Sequence, residues 1–516
     1  MAVKTIAHPS IADRRAKGVD ARETTPPSNN AGWVPATDRP DPVALLQAQD
    51  VAREPDLVPV RHGRMAVSPF TFYRGAAKIM ATDLAGTPTA GLDAQLCGDA
   101  HLSNFGAFAS PERQLLFDVN DFDETLPGPF EYDVKRMAAS FTIAARNNGL
   151  TAAQAKDATL SSIRSYRQAM AQFAQMRTMD LWYTHMSEND LRVGLGKIAA
   201  EGGAGKPSKA KDAKGAEKGK DAKRVGKQAK GNDGKGRPAK GVTAENAAAA
   251  KAARAAEKTM QKAHTRDSLQ ALSKLGEVVD GHYRIRSQPP IVVPVRDLAA
   301  TYNMSADEVE HTIHEQFREY RATLPDDRRH LLERFQLIDV ARKVVGVGSV
   351  GTRAFIALLQ GRDEQDPLFL QVKEATRSVL EDHLPKSRYR NQGERVVQGQ
   401  LAMQAASDIY LGWTKGAQAD RYFYWRQLRD MKASADIERM SAIALSYYAT
   451  LCGWTLARAH ARSGDAVAMA EYLGPDDSFD QAITDFSGRY ADQNEKDYEE
   501  FTAAIKSGRL EAIEGI

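Results

Sequence analysis

The chain of 516 residues holds 42% hydrophobic and 27% charged residues, the balance of a folded globular protein with core enough for two or three domains. Its two cysteines, Cys97 and Cys452, exclude a disulfide framework and a cysteine zinc site, and no run of 18 apolar residues offers a membrane span. The net charge of +3 sits in one tract: residues 201–240 carry 11 Lys and 2 Arg against 5 acidic residues, a net of +8, which leaves −5 on the rest and argues against a basic nucleic-acid-binding body.

Taken in order, residues 1–60 are rich in Pro, Asn, Asp and Arg without periodicity and read as a disordered arm or a strap across the fold. The N-terminus also lacks the apolar core of a signal peptide, so the expected compartment is the cytoplasm. RHGRMAVSPFTFYRGAAKIMATDLA opens with loop chemistry and turns helical from about Pro69. Its Arg61, Arg64 and Arg74 can hold phosphate or enter ion pairs.

The stretch from Leu96 to Ala138 packs GDxHxxN, an apolar run, DFD and PGPxxYD. Leu115, Leu116 and Phe117 read as a short buried strand, with Asp118, Asn120, Asp121 and Asp123 crowding its end. Carboxylates this close repel unless protonated or neutralised, and oxygen-only ligands favour magnesium or manganese. Asp99 and Asn104 lie upstream on a loop able to place one carboxylate as a base and one amide as a metal ligand. Taken singly, each of these residues also suits an Asx turn or a helix N-cap.

Helical spacing follows from Val134 to about Met186, with Thr151 an N-cap for the second helix. The Lys-rich tract cannot bury enough surface to offset chain entropy and is expected to be disordered. It reads as a tolerated loop insertion, or as a weak electrostatic tether to nucleic acid or an acidic partner. Helix, polar strand, a Pro-Pro break, a second strand and more helix lead to Phe335.

IDVARKVVGVGSVGTRAFIALLQGRDEQDPLFLQVKEA then places β-forming residues on both sides of a glycine turn. Gly346, Gly348 and Gly351 form GxGxxG, with Ser349 between them. A dinucleotide-binding fold puts a helix after such glycines; here a strand, a turn and another strand follow. Lys373 comes 22 residues after Gly351, and GERVVQGQLAMQAASDIYL reads as an amphipathic helix with Glu394 at its start. A further strand and linker, then a long apolar helix (SAIALSYYATLCGWTLARAHARSGD) and a helical tail, complete the chain.

GDxHxxN followed by hydrophobics and NDFDETLPGPFEYD resembles the catalytic core of the protein-kinase-like superfamily, in its aminoglycoside- and choline-phosphotransferase form. The resemblance puts Asp99 at the catalytic base position, Asn104 and Asp121 at the metal ligands, and Asp133 at a buried supporting aspartate. Cys97 stands where that family usually has His. Strand, glycine turn, strand, turn and a strand ending in Lys is the small-lobe order of the same superfamily. It implies that Gly346, Gly348, Ser349 and Gly351 cover the phosphates of ATP, that Lys373 reaches them, and that Glu394, with Glu381 as rival, holds Lys373.

The two halves come in inverted order. The expected fold is therefore α+β: a two-lobed protein-kinase-like fold, circularly permuted, with a mostly helical large lobe and a small β-rich lobe. The expected division is an arm over 1–60, a large lobe with both loops over 61–200, a low-complexity basic insertion over 201–262, a helical large-lobe segment over 263–330, a small nucleotide-binding lobe and hinge over 331–432, and large-lobe helices and tail over 433–516. The whole is also similar to a bacterial family catalogued as domain of unknown function 2252, which implies no established substrate.

The implied function is phosphoryl transfer from ATP, with Mg2+, to an acceptor that GD rather than RD makes a small molecule. Two alternatives stay open. GDAH resembles the GDxH of metal-dependent phosphoesterases, where His101, Asp99 and Asp121 could bind two metals. A nucleotide-binding regulator, with the basic insertion serving a partner, is the other.

Overall fold

In the computed structural model, residues 8–201, 244–298, 305–418, 420–428 and 431–515 are described; nearly all of the Lys-rich tract expected to be disordered lies outside them. Helices α1 (Ile11–Thr24), α2 (Pro42–Asp50), α3 (Val58–Met65), α4 (Pro69–Gly75) and α5 (Ala77–Leu84) precede strand β1 (Asp93–Leu96). The hairpin β2 (Phe105–Ala109) and β3 (Leu115–Val119), then β4 (Leu126–Pro129), carry the acidic stretch into α6 (Glu131–Asn147). Next come α7 (Ala152–Phe173), α8 (Thr178–Tyr183), β5 (Met186–Ser187) and α9 (Glu188–Glu201). Beyond the tract stand α10 (Ala244–His264), α11 (Ser268–Leu275), β6 (Gly276–Val279), β7 (His282–Ile285), β8 (Val292–Pro294), α12 (Ala306–Ala322) and α13 (Asp326–Leu332). The chain then runs through β9 (Gln336–Lys343), β10 (Ala354–Gln360), β11 (Pro367–Glu374), α14 (Gln392–Met403), β12 (Gly412–Lys415) and β13 (Tyr422–Gln427), and ends in α15 (Ala442–Ser463), α16 (Ala466–Leu473) and α17 (Ser478–Lys506).

The class is α+β. Helices α6, α7 and α15–α17 share one apolar core that includes Phe130, Val134, Phe141, Tyr166, Leu456 and Phe479. Helix α7 begins where Thr151 and Gln154 close a capping box. It approaches α15 closely because Gly453 has no Cβ; one there would collide with the Ser162 carbonyl. The second centre is a six-stranded antiparallel sheet in the order β12-β13-β11-β10-β9-β8. Each of its faces is covered. Phe317, Tyr320 and Leu324 pack on Leu359, Leu370 and Trp425, and Tyr320 stacks on Trp425 at 4.5 Å. On the other face Ala271, Leu272 and Leu275 of α11 meet Ile356, Leu358 and Phe369. Among the described residues no helix is long and apolar enough to cross a membrane.

Two expected segments need correction, and the arm takes one of its two expected forms. Residues 263–330 are not a helical part of the large body: α11, β8 and α12 clothe or extend the sheet, because its apolar faces need cover. The end of the segment 201–262 is the helix α10, whose Ala249, Met260 and Ala263 are buried. The N-terminal arm, where described, is a strap of helices and turns, and RHGRM is the end of α3 rather than loop. Scattered apolar residues, Val43 and Leu46 against Phe72 and Phe501 and Leu57 and Val60 against Val344 and Val350, hold this strap together with ion pairs. Arg39 bridges Asp83 of α5 at 2.6 Å and Asp497 of α17 at 2.7 Å.

Candidate functional site

Asp133 opens α6 and shapes the loop before it. Its carboxylate accepts from the backbone N–H of Cys97 at 2.7 Å and of Gly98 at 3.0 Å. Further along, Leu102 N–H donates to Ser140, and the Tyr448 hydroxyl donates to the carbonyls of Leu102 and Phe105. Held this way, Asn104 turns its amide nitrogen onto the Asp99 carbonyl at 2.8 Å, and Asn120 N–H donates to the Asn104 carbonyl at 2.8 Å. Two hydrogen bonds thus stitch Asp99, Asn104 and the loop of Asp121 together. Arg136 Nε holds Asp99 Oδ1 at 2.8 Å. Burial pushes the Asp99 carboxyl above its usual range and Arg136 opposes the shift. His101 is buried, and burial with the nearby Arg136 and Arg74 charges keeps it neutral.

The carboxylates in and after β3 separate into two groups. Asp118 leaves the cluster: it is buried against Arg458 and accepts from Ala405 N–H. Asp121 and Asp123 meet Lys373, whose Nζ lies 2.6 Å from Asp123 Oδ2 and 3.8 Å from Asp121 Oδ2. The Tyr424 hydroxyl donates to Asp123 at 2.6 Å, and Ser349 Oγ approaches it at 3.4 Å. Burial and the neighbouring Asp123 push the Asp121 carboxyl up. Burial acts the same way on Asp123, but the charge and hydrogen bond of Lys373 outweigh it and bring Asp123 below its usual range. Lys373 is pulled down by burial and more than restored by the two carboxylates.

The expected partner of Lys373 is therefore corrected. Glu394 stands in the first turn of α14, its N–H capped by Asn391, and Glu381 pairs with Arg377. One residue further along, about 100° around the helix, Arg395 faces the loop and donates to the carbonyls of Asp123, Thr125 and Thr376 at 2.6–2.8 Å. Sequence reasoning placed Asp123 only in the acidic cluster and assigned no role to Tyr424, Arg426, Lys432, Arg136 or Arg395. A period of two would have found some of them. Lys373 pairs in register with Tyr424 and Gln371 with Arg426, so all four side chains share one face of the sheet.

The glycine turn links β9 to β10, with Gly346 and Gly351 at φ +67° and +86°, where a side chain would strain the backbone. The strap grips it: Arg64 donates to the Gly346 carbonyl at 2.6 Å, Arg53 to that of Val350, and Glu54 N–H to that of Gly351 at 2.7 Å. Beneath the turn is a cleft of about 600 Å³ lined by Gly346, Ser349, Asp121, Lys373, Arg426 and Lys432 among others. Asp99 and Asn104 adjoin this cleft through the loop hydrogen bonds and are not among its lining residues. Glu394 is not brought to it.

A family model described as an uncharacterized protein conserved in bacteria, DUF2252, matches residues 53–240 and 222–504, most of the chain. The chain belongs to the DUF2252 family. No curated protein and no solved structure matches it. The DUF2252 match begins at Arg53, the residue that holds the Val350 carbonyl, and ends within α17. It therefore spans every residue of the cleft and its surrounding loops.

Among the described residues no three His, Cys, Asp or Glu side chains gather into a metal cage. A magnesium site completed by a ligand's phosphates needs only one or two protein oxygens. Asp121 fits that need. So does Asn104, whose amide nitrogen is already engaged and whose Oδ1 is left to coordinate.

Lys432 adds an amine with no ion pair among the described residues. Burial and the Arg426 charge bring it down to about 7, against the pull of Asp121. A lysine lowered in this way costs stability wherever the unfolded chain binds the extra proton. The cost is whole below about pH 7 and fades toward 10.5. Lys432→Met is expected to raise the melting temperature at pH 7, by an amount that shrinks as the pH approaches 10, while weakening polyanion binding. A stability gain independent of pH would show that the amine is not its cause.

Proposed function

We propose that the cleft binds a nucleoside triphosphate with Mg2+ and passes its terminal phosphoryl group to a hydroxyl of a small-molecule acceptor. One observation carries the reading. Lys373, on the strand behind the glycine turn, lies 2.6 Å from Asp123 and 3.8 Å from Asp121, although 250 residues separate Lys373 from Asp123. Lys373, Arg426 and Lys432 supply the positive charge that a triphosphate requires, and the turn offers backbone N–H groups. Asp121 and Asn104 are the oxygens that would hold Mg2+, which neutralises phosphate charge when bound. Asp99, its carboxyl raised by burial, accepts or orients the proton of the acceptor hydroxyl.

The reading of a permuted, two-lobed kinase-like fold draws support from two features. The sheet follows the order of glycine-turn hairpin, lysine strand, helix and two further strands. And α15 ends against β1: Gln95 N–H donates to Ser463 Oγ at 3.1 Å. Joining the chain there would send α15 straight into the loop of Asp99, as in the unpermuted order. The choice of a small acceptor rests on family analogy alone.

A nucleotide-binding regulator is the second reading, favoured by the Arg136 ion pair that occupies Asp99. Calorimetry with ATP, with and without Mg2+, followed by ADP release across an acceptor panel, tests both. Magnesium-dependent ATP binding with acceptor-dependent ADP release is the expected result. Tight binding without transfer would favour the regulator, and absence of ATP binding would overturn both. Phosphate release from aryl phosphates without ATP would move the assignment to the phosphoesterase class.

A further inference from the structure

The arginines around the glycine turn are almost all engaged. Arg61 donates to Asp50, Gln49 and the Gly75 carbonyl, and Arg64 to Gly346. Arg53 holds Val350, and Arg136 holds Asp99. Arg74 is different. Among the described residues its guanidinium makes no ion pair or hydrogen bond; its Nε, like those of Arg53 and Arg61, is buried without a hydrogen-bond partner. The guanidinium stands over the Phe70 ring, with Cζ 5.9 Å from its centroid.

The position of Arg74 is specific. It lies in the last turn of α4, and its carbonyl lies 3.0 Å from where a Cβ on Gly348 would stand, so the middle of the glycine turn rests on it. Its charge acts on Glu438, Asp99 and His101. Arg74 thus stands between the turn that would cover the phosphates and the carboxylate that would meet the acceptor. Glu438 and Asp99 act on this half-buried guanidinium only at a distance, and its donors, which no carboxylate meets directly, are costly to keep buried unless a ligand meets them.

We propose that Arg74 is the contact for the terminal phosphate of the bound triphosphate. The assignment rests on the nucleotide reading above and deepens it. The planar fork of arginine suits two phosphate oxygens at once. Lys373, already held by Asp123, is left for the inner phosphates.

The test compares the affinity of the full chain, with Mg2+, for ADP and for the β,γ-imido analogue of ATP, and needs no knowledge of the acceptor. The wild type is expected to prefer the analogue. Arg74→Ala is expected to weaken the analogue by about tenfold or more, the effect of losing a charge-assisted hydrogen bond, while ADP changes by less than about twofold. Arg74→Lys, which keeps the charge without the fork, is expected to lose part of the same preference. It is the variant to read if Arg74→Ala fails to fold. Equal losses for both nucleotides, unchanged affinities, or a wild type without preference would overturn the assignment. Failure of the wild type to bind either nucleotide would sink the nucleotide reading itself, a result distinct from these.

Discussion

Asp121→Asn is expected to abolish ATP turnover and magnesium-dependent nucleotide binding while leaving the chain folded. The carboxylate is 30% exposed and 3.8 Å from Lys373, whose close hydrogen bond goes to Asp123. Asn keeps the shape and leaves that bond in place. It also removes the repulsion between Asp121 and Asp123, so the melting temperature is expected to hold or rise slightly. What it lacks is the charge that a hard cation needs. Loss of metal-assisted charge stabilisation in phosphoryl transfer costs on the order of a thousandfold in rate or more. Asp123→Asn, by contrast, weakens the Lys373 pair and is expected to lower the melting temperature. ADP production, calorimetry with and without Mg2+, and thermal melts separate the two. Unchanged turnover in Asp121→Asn would remove that residue from the metal site, and the phosphotransferase reading with it.

The reach of sequence reasoning follows the range of the interactions involved. Thr151 with Gln154, the strand at Leu115 and the glycine turn are local patterns, and each is visible within a dozen residues. The choice between Glu394 and Arg395 is not local. It depends on the phase at which α14 meets a loop some 270 residues earlier in the chain, and a one-residue step on a helix turns the face by about 100°. The acid that meets Lys373 was in view as the second Asp of DFD, but nothing nearby says which carboxylate a distant lysine will reach. The segment 263–330 shows the same limit. Its helices and strands are legible, yet an apolar face does not name the surface it covers. The strap is the extreme case: without periodicity it reads equally as a disordered arm or a strap, and its order comes from Arg39, Arg53 and Glu54, and from Val43, Leu46, Leu57 and Val60, finding partners far along the chain.

Arg39→Ala is expected to cause the largest loss of stability. Its guanidinium makes four hydrogen bonds of 2.6–2.8 Å, two to Asp83 and two to Asp497. The side chains of those acids are only 4% and 3% exposed. Removing the arginine strands both, and breaking a buried pair this way costs about 3–5 kcal/mol. The pH dependence identifies the cause. Burial already lifts the Asp83 carboxyl above its usual range against the pull of Arg39, and without Arg39 it should rise further. A carboxyl raised in the fold stabilises at low pH and loses that contribution as pH climbs through the folded value. The deficit of Arg39→Ala should thus be greatest near pH 7 and shrink on acidification toward pH 4, read as the shift in urea midpoint. Adding Asp497→Asn should restore part of the loss, while Arg39→Lys, unable to reach both acids with a fork, should fall between. A deficit equal at both pH values would mean that Arg39 acts through packing alone. The consequence reaches the cleft, since the strap anchored by Arg39 also carries Arg53 and Glu54 to the carbonyls of Val350 and Gly351.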